Sequence, residues 1–183
     1  MANGRDPSLP VRAFPAGTLL RDPGDPPDME KVRIDEVDSW QGPADVKRPL
    51  GRALGLEHAA INYYELDPGE SFAFGYHRHA DQEEVFYVLD GEATFETEDG
   101  DVTVDSGELA RFAPGEWQQG RNESDDRVRA LAVGAPAESG ETVIRRECPG
   151  CGERTDQEIE RASDGARLVT LCVDCGAETG RFD

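Results

Sequence analysis

The sequence predicts an all-β protein: a barrel or jelly roll of short antiparallel strands, followed by a small metal-stapled module. Three observations carry this expectation. From Met29 to about Ala137, β-branched and aromatic runs alternate with Gly, Pro and Asp turns. Helical periodicity is weak. Beyond Glu138, all four cysteines fall in two Cys-x-x-Cys pairs, Cys148/Cys151 and Cys172/Cys175.

Residues 1–28 hold Pro7, Pro10, Pro15, Pro23, Pro26 and Pro27 and show neither strand nor helix period, so a disordered leader is expected there. Met29 opens the patterned Glu30–Ile34 and is expected to be the natural start. The leader lacks the charged start and apolar core of a secretory signal, and no stretch reaches membrane-spanning length, so a cytoplasmic protein is expected. Residues 29–137 form the predicted barrel and residues 138–183 the predicted module. Strands are expected at 59–66, 71–79, 84–89, 93–97, 101–104, 109–112 and 129–134. Their turns are Asp67-Pro68-Gly69, Asp90-Gly91, Asp99-Gly100, Ser106-Gly107 and Pro114-Gly115. Ten aromatic residues, from Tyr63 to Trp117, are expected largely inside the barrel.

Residues two apart on a strand share a face, so His77 and His79 point one way and Arg78 the other. The chain then turns through Ala80-Asp81-Gln82 into Val85–Leu89, a strand with carboxylates at its start. Glu83 and Glu84 must face opposite ways, and Glu84 is the one assigned to the histidines' side. Two imidazoles and a carboxylate suit iron, manganese, nickel, copper or zinc. By parity Ser71, Ala73 and Gly75 lie on the histidine face, whose small side chains would leave room for a ligand. Asn62 and Tyr64 on the preceding strand are candidate substrate-binding residues, or else satisfy sheet or dimer contacts.

This pattern resembles the single-domain members of the cupin superfamily. Their first motif is His-x-His, then Glu, then Gly after six more residues, matched by His77, His79, Glu84 and Gly91. The second motif is matched by Gly107, Gly115 and Asn122. The sequence departs from it where cupins place a third histidine, since Gln118 stands there, and Ser71 replaces the opening glycine. The resemblance implies a cupin jelly-roll barrel, a homodimer with residues 32–40 and the sheet edges as candidate contacts, and a divalent metal on His77, His79, Glu84 and Gln118. Gln118 would be a weak amide ligand or would position a reacting group. The alternative is a metal-free hydrogen-bond network among the same residues.

The cysteine pairs read as a structural zinc site on Cys148, Cys151, Cys172 and Cys175. Gly152 and Gly176 follow each pair, as in zinc-ribbon knuckles. Four thiolates leave zinc no open position. The ion would instead supply folding free energy to a tail with few apolar residues.

Charge sets the last limit. Asp and Glu number 39 against 19 Lys and Arg, a formal net charge of -20, and only Lys31 and Lys47 are lysines. Acid excess with lysine deficit is a halophilic pattern, expected of a haloarchaeal cytoplasm where salt screens the repulsion. It argues against nucleic-acid binding, which needs cations against phosphates. Two function classes stay open: a metal-dependent enzyme for a small organic metabolite, and a metabolite-sensing or adaptor barrel whose zinc ribbon binds a protein partner.

Overall fold

Turn residues cut the chain into short strands that pair as one rolled ribbon. The computed structural model describes residues 29–163 and 165–183; the leader expected over 1–28 lies outside them. A 3-10 turn at Ile34–Glu36 precedes β1 (Val46–Arg48) and a single helical turn, α1 (Leu50–Ala53). The barrel strands are β2 (Ala60–Leu66), β3 (Tyr76–His79), β4 (Glu83–Asp90), β5 (Glu92–Thr97), β6 (Gly100–Asp105), β7 (Leu109–Phe112), β8 (Gln118–Arg121) and β9 (Val128–Ala135). They pair innermost to outermost, β5 with β6, β4 with β7, β3 with β8 and β2 with β9. That nesting is a hairpin rolled upon itself, and it yields two sheets. One runs β1-β2-β9-β4-β7, and the other contains β3-β8-β5-β6. The all-β jelly roll is therefore the observed fold.

Strand parity places the core. Along β4, Phe86 and Val88 are buried, with Glu84 on the same face; on β5, Ala93 and Phe95 are buried. Phe72, Phe86 and Phe95 pack together with ring centroids 4.9–5.8 Å apart, and Phe112 meets Phe95 at 5.4 Å. Several of the expected interior aromatics lie outside this core, among them Tyr63 and Tyr87 on the opposite faces of β2 and β4. Tyr76 stacks on Trp117 at 5.3 Å, on the face of β3 opposite the histidines, where the Arg145 and Arg78 guanidinium groups cover Trp117.

The strand expected over 71–79 begins only at Tyr76. Ser71 makes an isolated bridge with Arg121, and residues 72–75 then bend, with the Ser71 hydroxyl donating to the Ala73 carbonyl at 2.8 Å.

The C-terminal segment continues the second sheet. β10 (Thr142–Cys148) pairs with β3 through its first half and with β11 (Glu153–Arg161) through its second. β12 (Leu168–Cys172) and β13 (Glu178–Phe182) follow, giving the order β13-β12-β11-β10-β3-β8-β5-β6. The expected division at 137/138 thus falls four residues before a strand common to the barrel and the cysteine-bearing segment.

Candidate metal centre and cavity

His77 and His79 leave β3 on the inward face, and Glu84 enters beside them because its parity partners Phe86 and Val88 are core residues. Glu83 turns outward and pairs with Arg111 at 2.7 Å. The Glu84 Oε2 atom lies 3.9 Å from His77 Nε2 and 3.6 Å from His79 Nε2. Gln118, opposite His77 in the β3–β8 register, brings its Nε2 to 3.1 Å from His77 Nε2 and donates to Glu84 Oε2 at 3.0 Å. One point therefore receives donors from β3, β4 and β8.

The second ring nitrogens are held from outside. His77 Nδ1 donates to the Gly75 carbonyl at 3.1 Å, which leaves the Nε2 lone pair of the neutral ring aimed at Glu84 and Gln118. Burial pushes the His77 pKa down, against the opposing pull of Glu84, and favours that neutral form. His79 Nδ1 meets the Thr142 hydroxyl at 2.9 Å, so β10 orients the second imidazole.

These residues fit a divalent ion. Donors bonded to one ion at about 2.1 Å stand roughly 3.0–3.4 Å apart, so the observed spacings need only slight closure. Gln118 Oε1 is buried with no hydrogen-bond partner among the described residues, whereas Nε2 donates to Glu84 and meets His77. A half-turn of the amide would put Oε1 against two acceptors, an arrangement that only a cation makes favourable.

Beside this centre lies a cavity of about 250 Å³, bounded by Asn62, Tyr64, Phe72, Phe74 and Ile144 as well as by His77, His79 and Glu84. Ala73 contributes small surface, but Ser71 and Gly75, expected on the same wall, do not, since the bend at 72–75 breaks the alternation. Sequence reasoning missed Lys47, which lines this cavity from β1. Its signal was a lysine kept in a chain that otherwise uses arginine.

The four cysteine sulfurs gather at the far end of β10, within 4.8 Å of one another. Cys148 and Cys175 approach to 3.4 Å, and Cys151 and Cys172 to 3.8 Å. Sulfurs at tetrahedral corners with zinc–sulfur bonds of about 2.3 Å are roughly 3.8 Å apart, so this set also fits its ion. The two knuckles are alike. Gly152 donates its N–H to the Cys148 carbonyl at 2.8 Å and Gly176 to that of Cys172 at 2.8 Å, with φ of 76° and 72° that favour glycine. Gln157 donates to the Thr155 hydroxyl at 2.9 Å, leaving that hydroxyl to donate to Cys172 Sγ at 3.1 Å. This last bond lowers the Cys172 thiol pKa and favours the ligating thiolate.

Residues 62–134 match the family described as Cupin domain. No curated protein sequence matches the chain. Among solved structures, the chain resembles a sugar phosphate isomerase from a cupin superfamily of Silicibacter pomeroyi, with TM-score 0.53 and 22% identity over 82% of this chain and 92% of that one. It also resembles the polyketide cyclase RemF of Streptomyces resistomycificus, with TM-score 0.53 and 24% identity over 62% and 83% of the two chains. A Thermotoga maritima protein named as a predicted oxalate decarboxylase gives TM-score 0.50 and 22% identity over 58% and 99%. The domain match covers residues 62–134, and the likeness to these structures is one of fold. Among the described residues no helix is long and apolar enough to cross a membrane.

Proposed function

We propose that this chain, whose barrel carries a Cupin domain, is a metal-dependent protein acting on a small organic metabolite, with a structural zinc in its C-terminal segment. The observation behind it is the convergence of His77 Nε2, His79 Nε2 and Glu84 Oε2 beside a cavity of metabolite size. His77, His79 and Glu84 would hold the ion, with Gln118 as a fourth, weaker donor. A divalent ion there would act as a Lewis acid toward an oxygen atom of the metabolite. Phe72, Phe74 and Ile144 exclude water from the bound molecule, and the Asn62 amide and Tyr64 hydroxyl orient it. Cys148, Cys151, Cys172 and Cys175 would hold zinc with no position left for substrate. The names of the structural relatives support metabolite chemistry as the class.

One observation favours a second reading, a metabolite-sensing or adaptor barrel without turnover. The Gln118 amide donates to Glu84 and meets His77, a hydrogen-bond arrangement that needs no ion between these three residues. Elemental analysis before and after mild chelation separates the two. One cysteine-held zinc plus one labile ion per chain is expected, whereas zinc alone would leave only the sensing role. The proposal includes a homodimer, for which the edge strands β6 and β7 with exposed Val102 and Leu109 are the candidate contact. Sedimentation at working salt tests it.

A further inference from the structure

Lys47 stands opposite Tyr64 in the β1–β2 register, and its ammonium lies 5.5 Å from the Tyr64 ring centroid. It is one of only two lysines among 19 basic residues. Many surface cations of this protein are arginines paired with carboxylates, such as Arg127 with Asp67 at 2.8 Å and Arg129 with Asp90 at 3.0 Å. Lys47 differs in both respects. It faces the cavity, and among the described residues no carboxylate lies within ion-pair distance of its ammonium. Burial lowers its pKa, only partly offset by Glu84, which lines the same cavity.

Two neutral donors share that wall. Asn62 and Tyr64 are two apart on β2 and line the same cavity, and neither side chain hydrogen-bonds to a described residue. The cavity thus offers an ammonium, a hydroxyl and an amide, none of them hydrogen-bonded or ion-paired to a described residue. An ammonium taken out of water is costly unless an anion joins it. Glu84 lines the same cavity and already places a negative charge there, so a single negative charge suits the site better than a phosphate dianion.

We propose that the ligand of this cavity is a small carboxylic acid whose carboxylate pairs with Lys47 and accepts hydrogen bonds from Tyr64 and Asn62. This deepens the metabolite-binding role above and rests on it. The ammonium holds one end of the molecule, which directs the other end toward His77, His79 and Glu84.

The test titrates unbranched mono- and dicarboxylic acids of about two to five carbons, and their amides, into the full chain with and without saturating Mn²⁺. Wild type is expected to bind at least one acid about tenfold more tightly than its amide, as a charge-assisted bond requires. Lys47→Met should abolish that preference and leave Mn²⁺ binding intact, and Lys47→Arg should restore part of it. No preference for any acid, or a preference that survives Lys47→Met, overturns the proposal. If Lys47→Met does not fold, Tyr64→Phe decides: weakened acid binding supports the pairing and unchanged binding refutes it. A wild-type protein that binds no Mn²⁺ sinks the metal assignment alone, since the acid and amide comparison is also made without the ion.

Discussion

Replacing Gln118 by histidine asks whether the barrel centre is built for an ion. In the structure the Gln118 amide nitrogen is 3.1 Å from His77 Nε2 and 3.0 Å from Glu84 Oε2, so an imidazole reaching the same point would add a nitrogen donor to the set. It would also remove a buried amide oxygen that has no hydrogen-bond partner among the described residues. An unpaired buried acceptor costs about 1–3 kcal/mol, and an added imidazole ligand strengthens binding of borderline ions such as Ni²⁺ or Co²⁺. Gln118→His should therefore tighten Ni²⁺ by about tenfold to a hundredfold, equivalent to about 1.4–2.8 kcal/mol. Competition against a chelator of known affinity measures this, and Co²⁺ absorption reports the change in coordination. The variant should lose the amide bond to Glu84 when ion-free, so its gain in thermal stability appears only with metal present. Unchanged Ni²⁺ affinity, or a Co²⁺ spectrum identical to wild type, would show that residue 118 does not face the ion and would refute the ligand assignment.

Cys172→Ser should lower zinc content well below one per chain and make the segment after Cys148 protease-sensitive; full zinc retention would contradict the four-thiolate site, whose geometry rests on sulfurs within 4.8 Å. Because burial depresses the His77 pKa, the unfolded chain takes up that proton first as pH falls. The stability of ion-free protein tied to neutral His77 is thus present above the ordinary histidine pKa of about 6.5 and lost as pH drops through the depressed value. Chemical denaturation from pH 8 to 5 should show the decline, and His77→Gln should flatten it. With a formal net charge of -20, the protein should gain thermal stability as KCl rises from about 0.1 to 2 M, where screening shortens to a few ångströms. A flat salt profile would count against the halophilic assignment.

The sequence made the ribbon legible where Gly, Pro and Asp turns bracket apolar runs, as around β2, β4, β5 and β9. It did not disclose β1 or β8, because Val46–Arg48 and Gln118–Arg121 carry almost no apolar alternation. Those strands are fixed by their partners: Gly120 of β8 lies against Phe95 and Phe72, so closely that a Cβ there would come within 2.5 Å of the Phe95 ring. The histidine and carboxylate trio could be read from strand parity, since parity is local. The second ring partner of His79 could not, since that hydroxyl comes from Thr142, 63 residues away. Lys47 was visible as a rarity of composition, but its place in the cavity depends on β1 pairing with β2, which no local pattern announces.

β10 lays Thr142 and Ile144 against the cavity and then delivers Cys148 to the sulfur cluster. The stretch recognisable as a Cupin domain stops at residue 134, before this wall has been made. A chain shortened to that stretch would be an unfinished vessel. His79 would lose the hydroxyl that fixes its ring, and the backbone of β3 would offer a bare rim to any passing strand. Work on the chemistry of the barrel should therefore keep the cysteine-bearing end attached.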